Sequence, residues 1–270
     1  MKNLKKTLVL IATLVAAVAL LASCSKKDDK TIKVAATPSP HAEVLEQIKD
    51  VLAEDGWTLE IVEFEDYVKP NQAVEDGDVD ANYFQHQPYL DQYNEENKTK
   101  IVSAGVIHYE AMGIYKGKKS ELSSLSSGDK VGVPNDVTNE ARALALLEAN
   151  GVIKLKEGVG LNATKADIVS NPYGVEIVEL DAAIIPNTLP DLAFGVINGN
   201  YALNAKLTSA NAVAFEASDS TAAQTYANII ACKKSAKNSK KIKALVKAIQ
   251  SDTVKNYIEK EYGGIVKVVF

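Results

Sequence analysis

The sequence is almost without arginine: of 30 basic residues, Arg142 alone is not a lysine. It also holds only two cysteines and one tryptophan, and aromatics make up 6% of its 270 residues. Each shortage excludes something. With Cys24 in a processed leader (below), Cys232 is the only thiol left, so neither an intrachain disulfide nor a cysteine-based metal site is available. The "YANIIAC" setting of Cys232 reads as a buried strand carrying an inert thiol. A net charge of -5, with both signs well mixed, lacks the basic footprint of a nucleic-acid partner. No GxSxG, HExxH, P-loop or CxxC motif occurs, and no nucleophile stands beside a base. An enzyme is therefore not expected, and no cofactor is implied. His41, His86 and His108 are spaced by 45 and 22 residues, which is no metal-ligand signature. A metal-binding surface lipoprotein using these three with Glu110 remains a lesser alternative.

What is present begins with a leader. Lys2, Lys5 and Lys6 precede an uncharged apolar run from Leu8 to Ala22, too short for a spanning helix but right for a secretory signal. The run ends in "LASC", which looks like the bacterial lipobox, with Cys24 lipidated and becoming the mature N-terminus. Losing residues 1–23 removes three lysines and takes the net charge from -5 to -8. Residues 24–30 read as a flexible tether with no core-forming side chain. Two or more acyl chains on one cysteine anchor firmly. The expected location is outside the cytoplasmic membrane, lipid-anchored, at a cell surface or in a periplasm.

From Thr31 onward strands and helices alternate. "TIKVAAT", "TLEIVEF" and "VDANYF" read as strands, and "SPHAEVLEQIKDVLAEDG" as a helix that Ser39 can cap and Pro40 can start. The pattern restarts with "KVGVP", "TNEARALALLEANG", "VEIVEL" and "LAFGVIN", then "AVAFEA", "YANIIAC" and a helical C-terminus. Alternation of this kind predicts α/β layers with mainly parallel sheets, and two series predict two lobes. The polar stretch 116–130 is a candidate first link, and the C-terminal helices, lacking a sheet of their own, are expected to return to the first lobe. In open α/β sheets ligands bind beyond strand ends. "ATPSPH", "NYFQHQPY", "VPNDVTNEAR" and "VINGNYA" all fall at such points.

Three features there have two readings each. Arg142, near the start of a helix, either pairs locally with Glu140 or Asp136 or offers its planar fork to a ligand carboxylate. Asn135, Asn139, Asn198, Asn200 and Asn228 at strand ends are either turn residues or partners for a zwitterion. In "NYFQHQPYLDQY", Tyr83, Phe84, Tyr89, Tyr93 and His86 are either core packing or the walls of an apolar slot with a polar handle.

Taken together, "ATPSPHAEVL", "FEDYVKPNQAVEDGDVDANYFQHQPYLD", "HYEAMGIY", "VPNDVTNEARALALLE" and "INGNYA" resemble the NlpA/MetQ lipoproteins, the substrate-binding components of methionine ABC importers. The resemblance runs from about Thr31 to the C-terminus. It implies a two-lobed, periplasmic-binding-protein-like α/β fold of type II, with the ligand cleft between lobes joined by two crossover segments. Lobe 1 would comprise residues 31–110 and 216–270 and lobe 2 residues 111–215, which places the hinge slightly before the polar stretch. By motif, Tyr67, Phe84, His86 and Tyr89 would enclose a methionine side chain. Arg142 would meet the ligand carboxylate, Asn198 and Asn228 its backbone groups, and Glu110 its ammonium. Ala111 stands where many relatives have proline, and Ser39 where an apolar residue is frequent. The implied partners are methionine (the L form, with the D form within reach), a permease with its ATPase, and the membrane through Cys24. A methionine-containing dipeptide or another apolar amino acid is the rival ligand.

Overall fold

The computed structural model describes residues 30–217, 224–262 and 264–270. The leader, Cys24 and the tether up to residue 29 lie outside the described residues. Strand β1 (Thr31–Ala36) is followed by a wide turn, Pro38–Ala42, and two short helices, α1 (Glu43–Glu46) and α2 (Lys49–Glu54). Then come β2 (Thr58–Glu63), α3 (Lys69–Asp76), β3 (Ala81–His86), α4 (Gln87–Asn97) and the long β4 (Ile101–Glu110). The second series is β5 (Gly113–Lys116), β6 (Lys130–Pro134), α5 (Val137–Ala149), the pair β7 (Lys154–Leu155) and β8 (Ile168–Ser170), β9 (Glu176–Leu180), α6 (Ile185–Thr188), β10 (Phe194–Ile197), α7 (Gly199–Asn204) and β11 (Ala212–Phe215). The chain closes with β12 (Asn228–Lys233), α8 (Lys240–Ile249), α9 (Asp252–Glu261) and β13 (Val266–Val268).

Two main sheets result, in the orders β13-β4-β12-β3-β1-β2 and β11-β5-β10-β6-β9. They are mixed rather than mainly parallel. β1 and β3 run parallel, but β12 is antiparallel to both β3 and β4, and β13 is antiparallel to β4. In the second sheet β6 is parallel to β9 and β10, while β5 is antiparallel to β10 and β11. The reason lies in the crossings. β4 passes into β5 after two residues, and later segments come back beside strands already laid, so their direction is set by the return and not by a helical crossover.

The period-two pattern of the first sheet is carried out in its packing. Ile32, Val34 and Ala36 face one core together with Leu45, Leu52, Ile242 and Leu245, whereas Ala35, Ile229 and Ala231 face the other side with Val74 and Leu90. Cys232 lies in the first of these cores as a fully buried free thiol, and burial pushes its pKa up to about 11. The second sheet has its own core, built from Val131, Val133, Leu144, Leu147, Phe194 and Val196. Two helical readings are revised. The 39–56 segment is broken at Ile48 (φ -106°, ψ 2°), and Ser39 does not cap it: its hydroxyl donates to Glu43 Oε2 at 3.0 Å. The C-terminal helix divides at Gln250–Ser251, and Ser239 caps the first half through Ile242 N at 3.3 Å.

Candidate ligand-binding site

All eight residues singled out by motif line one cavity: Tyr67, Phe84, His86, Tyr89, Glu110, Arg142, Asn198 and Asn228. Atom-free space there, open solvent included, is about 330 Å³. The cavity lies at the ends of β3, β4 and β12, against the first turns of α4, α5 and α7.

The aromatic stretch divides. Phe84 and Tyr89 face the cavity and join Tyr67, with ring centroids 5.8–5.9 Å apart and tilted or edge-on geometries. The alternation of β3 sends Tyr83 into the core instead, where its hydroxyl meets His108 Nδ1, and Tyr93 packs beside Leu90 and Ile101. Tyr89 donates its OH to Tyr67 O at 3.0 Å, and Tyr67 donates to Asn200 Oδ1 at 2.5 Å, so the rings are held at their polar ends. His86 caps α4, accepting from Tyr89 N at Nδ1 (3.2 Å). This fixes its tautomer, so Nε2–H donates to Asn139 Oδ1 at 3.2 Å. Burial, reinforced by the charge of Arg142, pushes the His86 pKa down to about 3 and keeps the ring neutral.

The asparagines form a chain with two loose ends. Asp136 caps α5 through Asn139 N at 3.0 Å and also takes Asn139 Nδ2. Asn139 Oδ1 in turn accepts from Asn198 Nδ2 at 2.7 Å. Two buried side-chain atoms on the cavity wall then have no hydrogen-bond partner: Asn198 Oδ1, an acceptor, and Asn200 Nδ2, a donor. Such orphans cost free energy in an otherwise closed interior. Asn139 and Asn200 were legible as strand-end amides, and both line the cavity; Asn135 does not.

Arg142 does not pair with Glu140 or Asp136. Its partner is Glu216, at the exit of β11 and 74 positions away. Nε lies 2.9 and 3.1 Å from the two carboxylate oxygens, Nη2 donates to Oε2 at 2.6 Å, and Nη2 also reaches Glu110 O at 2.8 Å. The guanidinium stacks over Tyr226, 4.4 Å from the ring centroid, and Tyr109 OH donates to Glu216 Oε2 at 2.5 Å. Burial alone would raise the Glu216 carboxyl and lower Arg142, but the mutual attraction outweighs it in both, so Glu216 is held low and Arg142 high. Glu216 had no local signal; a lone buried arginine demands a carboxylate, but the sequence does not say which.

His41, His108 and Glu110 come together although their spacing gives no hint of it, their ligand-capable atoms lying within 4.8 Å of one another. His86 is not among them. His108 Nε2 is hydrogen-bonded to Glu110 Oε1 at 2.7 Å, and His41 Nε2, bonded to Asn228 Oδ1 at 3.0 Å, lies 3.2 Å from the same carboxylate oxygen. Burial opposes the Glu110 charge, but these two rings and Arg142 hold its carboxyl below the usual range. Gly199 lets the carboxylate lie close to α7. A Cβ there would sit 2.8 Å from Glu110 Cβ and 3.1 Å from Oε2. Gly199→Ala is therefore expected to cost about 1–3 kcal/mol of stability, read as a lower urea midpoint at unchanged slope.

Two mixed α/β sheets, each packed against its own buried cores, and a polar, ring-walled cavity define a two-lobed substrate-binding protein. Residues 32–270 match the model of the NlpA lipoprotein family, and the chain belongs to that family. It is 41% identical over 269 residues to the D-methionine-binding lipoprotein MetQ of Salmonella typhimurium, with 97% of each chain covered. It is 40% identical over 273 residues to the methionine-binding lipoprotein MetQ of Bacillus subtilis, covering 97% of this chain and 98% of that one. Among solved structures, a nutrient binding protein from Burkholderia cenocepacia bound to methionine superposes with a TM-score of 0.84 at 45% identity, covering 88% of this chain and all of that one. Among the described residues no helix is long and apolar enough to cross a membrane.

Proposed function

We propose that this protein captures methionine outside the cytoplasmic membrane and delivers it to an ABC importer permease with its ATPase. It acts as a binding protein, not an enzyme, and is held at the membrane by lipid on Cys24. The observation that carries the reading is the pair of buried orphans of opposite sense, Asn198 Oδ1 and Asn200 Nδ2, set beside the Glu110 carboxylate and a wall of three rings. A zwitterion with an apolar tail answers each of these. Its ammonium meets Glu110 and Asn198 Oδ1. Its carboxylate meets Asn200 Nδ2, Asn228 and the Arg142 edge left by Glu216. Its thioether lies among Tyr67, Phe84 and Tyr89, where sulfur–ring contacts contribute roughly 0.3–1.5 kcal/mol.

In this reading lobe 1 is residues 31–110 with 216–270, and lobe 2 is 111–215. The ligand touches both lobes, so it favours the closed arrangement, and closure follows by a hinge at the crossings. The names of the Salmonella and Bacillus relatives, and the methionine bound to the Burkholderia protein, support the choice of ligand.

The test is mass spectrometry of small molecules released on denaturation of protein purified from residue 25 onward, followed by calorimetry with methionine, glycyl-methionine and zinc. Methionine is the expected ligand, and it should raise the melting temperature in proportion to the logarithm of its concentration above Kd. A dipeptide found alone would keep the fold and the transport role but replace the ligand. Saturable zinc binding with no response to methionine would overturn the reading.

A further inference from the structure

The polar groups behind the cavity wall form a continuous chain. Thr37 Oγ1 lies 2.7 Å from His41 Nδ1, His41 Nε2 lies 3.2 Å from Glu110 Oε1, and Oε1 also takes His108 Nε2 at 2.7 Å. The chain ends at Tyr83, whose hydroxyl meets His108 Nδ1. A branch runs from His41 Nε2 to Asn228 Oδ1 at 3.0 Å. Every member is fully or almost fully buried, and they come from different parts of the fold: Thr37 and His41 from the turn after β1, Tyr83 from β3, His108 and Glu110 from β4, and Asn228 from β12.

The directions of these bonds follow from chemistry. An ionised carboxylate and an amide oxygen only accept, so His108 Nε2 donates to Glu110 Oε1 and His41 Nε2 donates to Asn228 Oδ1. His41 Nδ1, in a neutral ring, then accepts from the Thr37 hydroxyl. The His108 bond lands on Oε1, with His41 Nε2 3.2 Å from the same oxygen, and Oε2 is the oxygen that lies against Gly199 on the cavity wall. The same His41 N–H occupies the acceptor end of the Asn228 amide, which turns the donor end, Nδ2, the other way. Two buried rings thus orient two wall groups with opposite hydrogen-bonding sense, His108 the Glu110 carboxylate and His41 the Asn228 amide.

We propose that His41 and His108 are positioning residues for ligand binding: by holding Oε1 of Glu110 and the amide oxygen of Asn228 from behind, they present one carboxylate oxygen to the ligand's ammonium and one amide donor to its carboxylate. Neither imidazole needs to touch the ligand. The inference rests on the reading that Glu110 faces the ammonium of a bound amino acid. The outer hydroxyls extend the same logic, Thr37 behind His41 and Tyr83 behind His108. The titratable groups that face Glu110 are His41, His108, Tyr83, His86, Tyr67 and, from α5, Arg142; α7 and β12 bring only Gly199 and Asn228.

The experiment is calorimetric titration of methionine between pH 4.5 and 8 with wild type, His108→Leu, His108→Gln and Thr37→Val. Gln retains an N–H near the place of Nε2, and Leu does not. His108→Leu is expected to bind at least tenfold more weakly at pH 7, since it strands a buried carboxylate oxygen. Its acid limb should also move up by at least one pH unit, because Glu110 loses a donor to its charged form. His108→Gln should recover most of both effects, and Thr37→Val should weaken binding about threefold to tenfold. Equal losses in the Leu and Gln variants would assign the effect to packing and overturn the proposal, as would a wild-type profile in His108→Leu. If His108→Leu does not fold, Thr37→Val and His108→Gln against wild type decide the matter by the same pH profile. A wild type that binds no methionine would instead bring down the reading on which the proposal rests.

Discussion

Arg142→Ala is expected to lower the unfolding free energy by about 3–5 kcal/mol, as much as a large core truncation, and to abolish measurable methionine binding. The size follows from what is left behind. Glu216, with a side chain 10% exposed, loses three of its bonds and keeps Tyr109 OH and a long contact from Met112 N at 3.4 Å. A carboxylate stranded in that position either stays charged without its partner or takes up a proton. The double variant Arg142→Ala/Glu216→Gln separates the two consequences. It removes the stranded charge, so it should regain much of the lost stability at pH 7, while binding stays lost because the ligand carboxylate still lacks its cation. Urea denaturation gives the first quantity and calorimetry the second. A single variant less than 1 kcal/mol from wild type would sink the claim that this pair is buried and coupled.

The same pair shows how far the sequence could be read. An arginine alone among 29 lysines stood out, and its place near a helix start drew attention to a ligand anion. Its actual partner lies on a returning strand, and nothing in the spacing of 142 and 216 records that meeting. The wall residues were legible because they cluster in short motifs at strand–helix junctions, where alternation and capping fix which way each side chain points. Phe84 and His86 share a parity on β3 and line the cavity, and Tyr83, of the other parity, turns into the core. The histidine chain behind Glu110 was illegible for the opposite reason. His41 follows β1 in the Pro38–Ala42 turn and His108 lies on β4, two strands separated in the sheet by β12 and β3, and pairwise spacing carries no information about sheet order. Mixed strand direction was missed on the same ground: a βα alternation predicts crossovers, whereas β12 and β13 return to the first sheet from far along the chain.

Acid should destabilise the protein in two stages, the first beginning well above the range where carboxylates titrate. Burial, as the largest cause, pushes His41 down to about 4 and His86 down to about 3, while in the unfolded chain each titrates near 6.5. Between these values the unfolded state binds more protons than the folded state, so stability rises with pH and is lost as pH falls from about 6.5 toward 4. At pH 5 the loss is about 2 kcal/mol for each histidine, or about 4 kcal/mol together. Glu110 and Glu216 act at lower pH. Their folded-state pKa values are depressed, so their contribution is fully present above the unfolded carboxyl value and fades only below it. Urea denaturation at pH 7.5, 6, 5 and 4 reads both stages. His86→Gln, which retains a donor for Asn139 but cannot titrate, should remove about half of the slope between pH 6.5 and 5 and leave the lower stage intact. A wild-type free energy unchanged from pH 7.5 to 5 would mean that neither imidazole is held neutral by burial. His86 would then lose its place as a fixed donor on the cavity wall, and His41 its place behind Glu110.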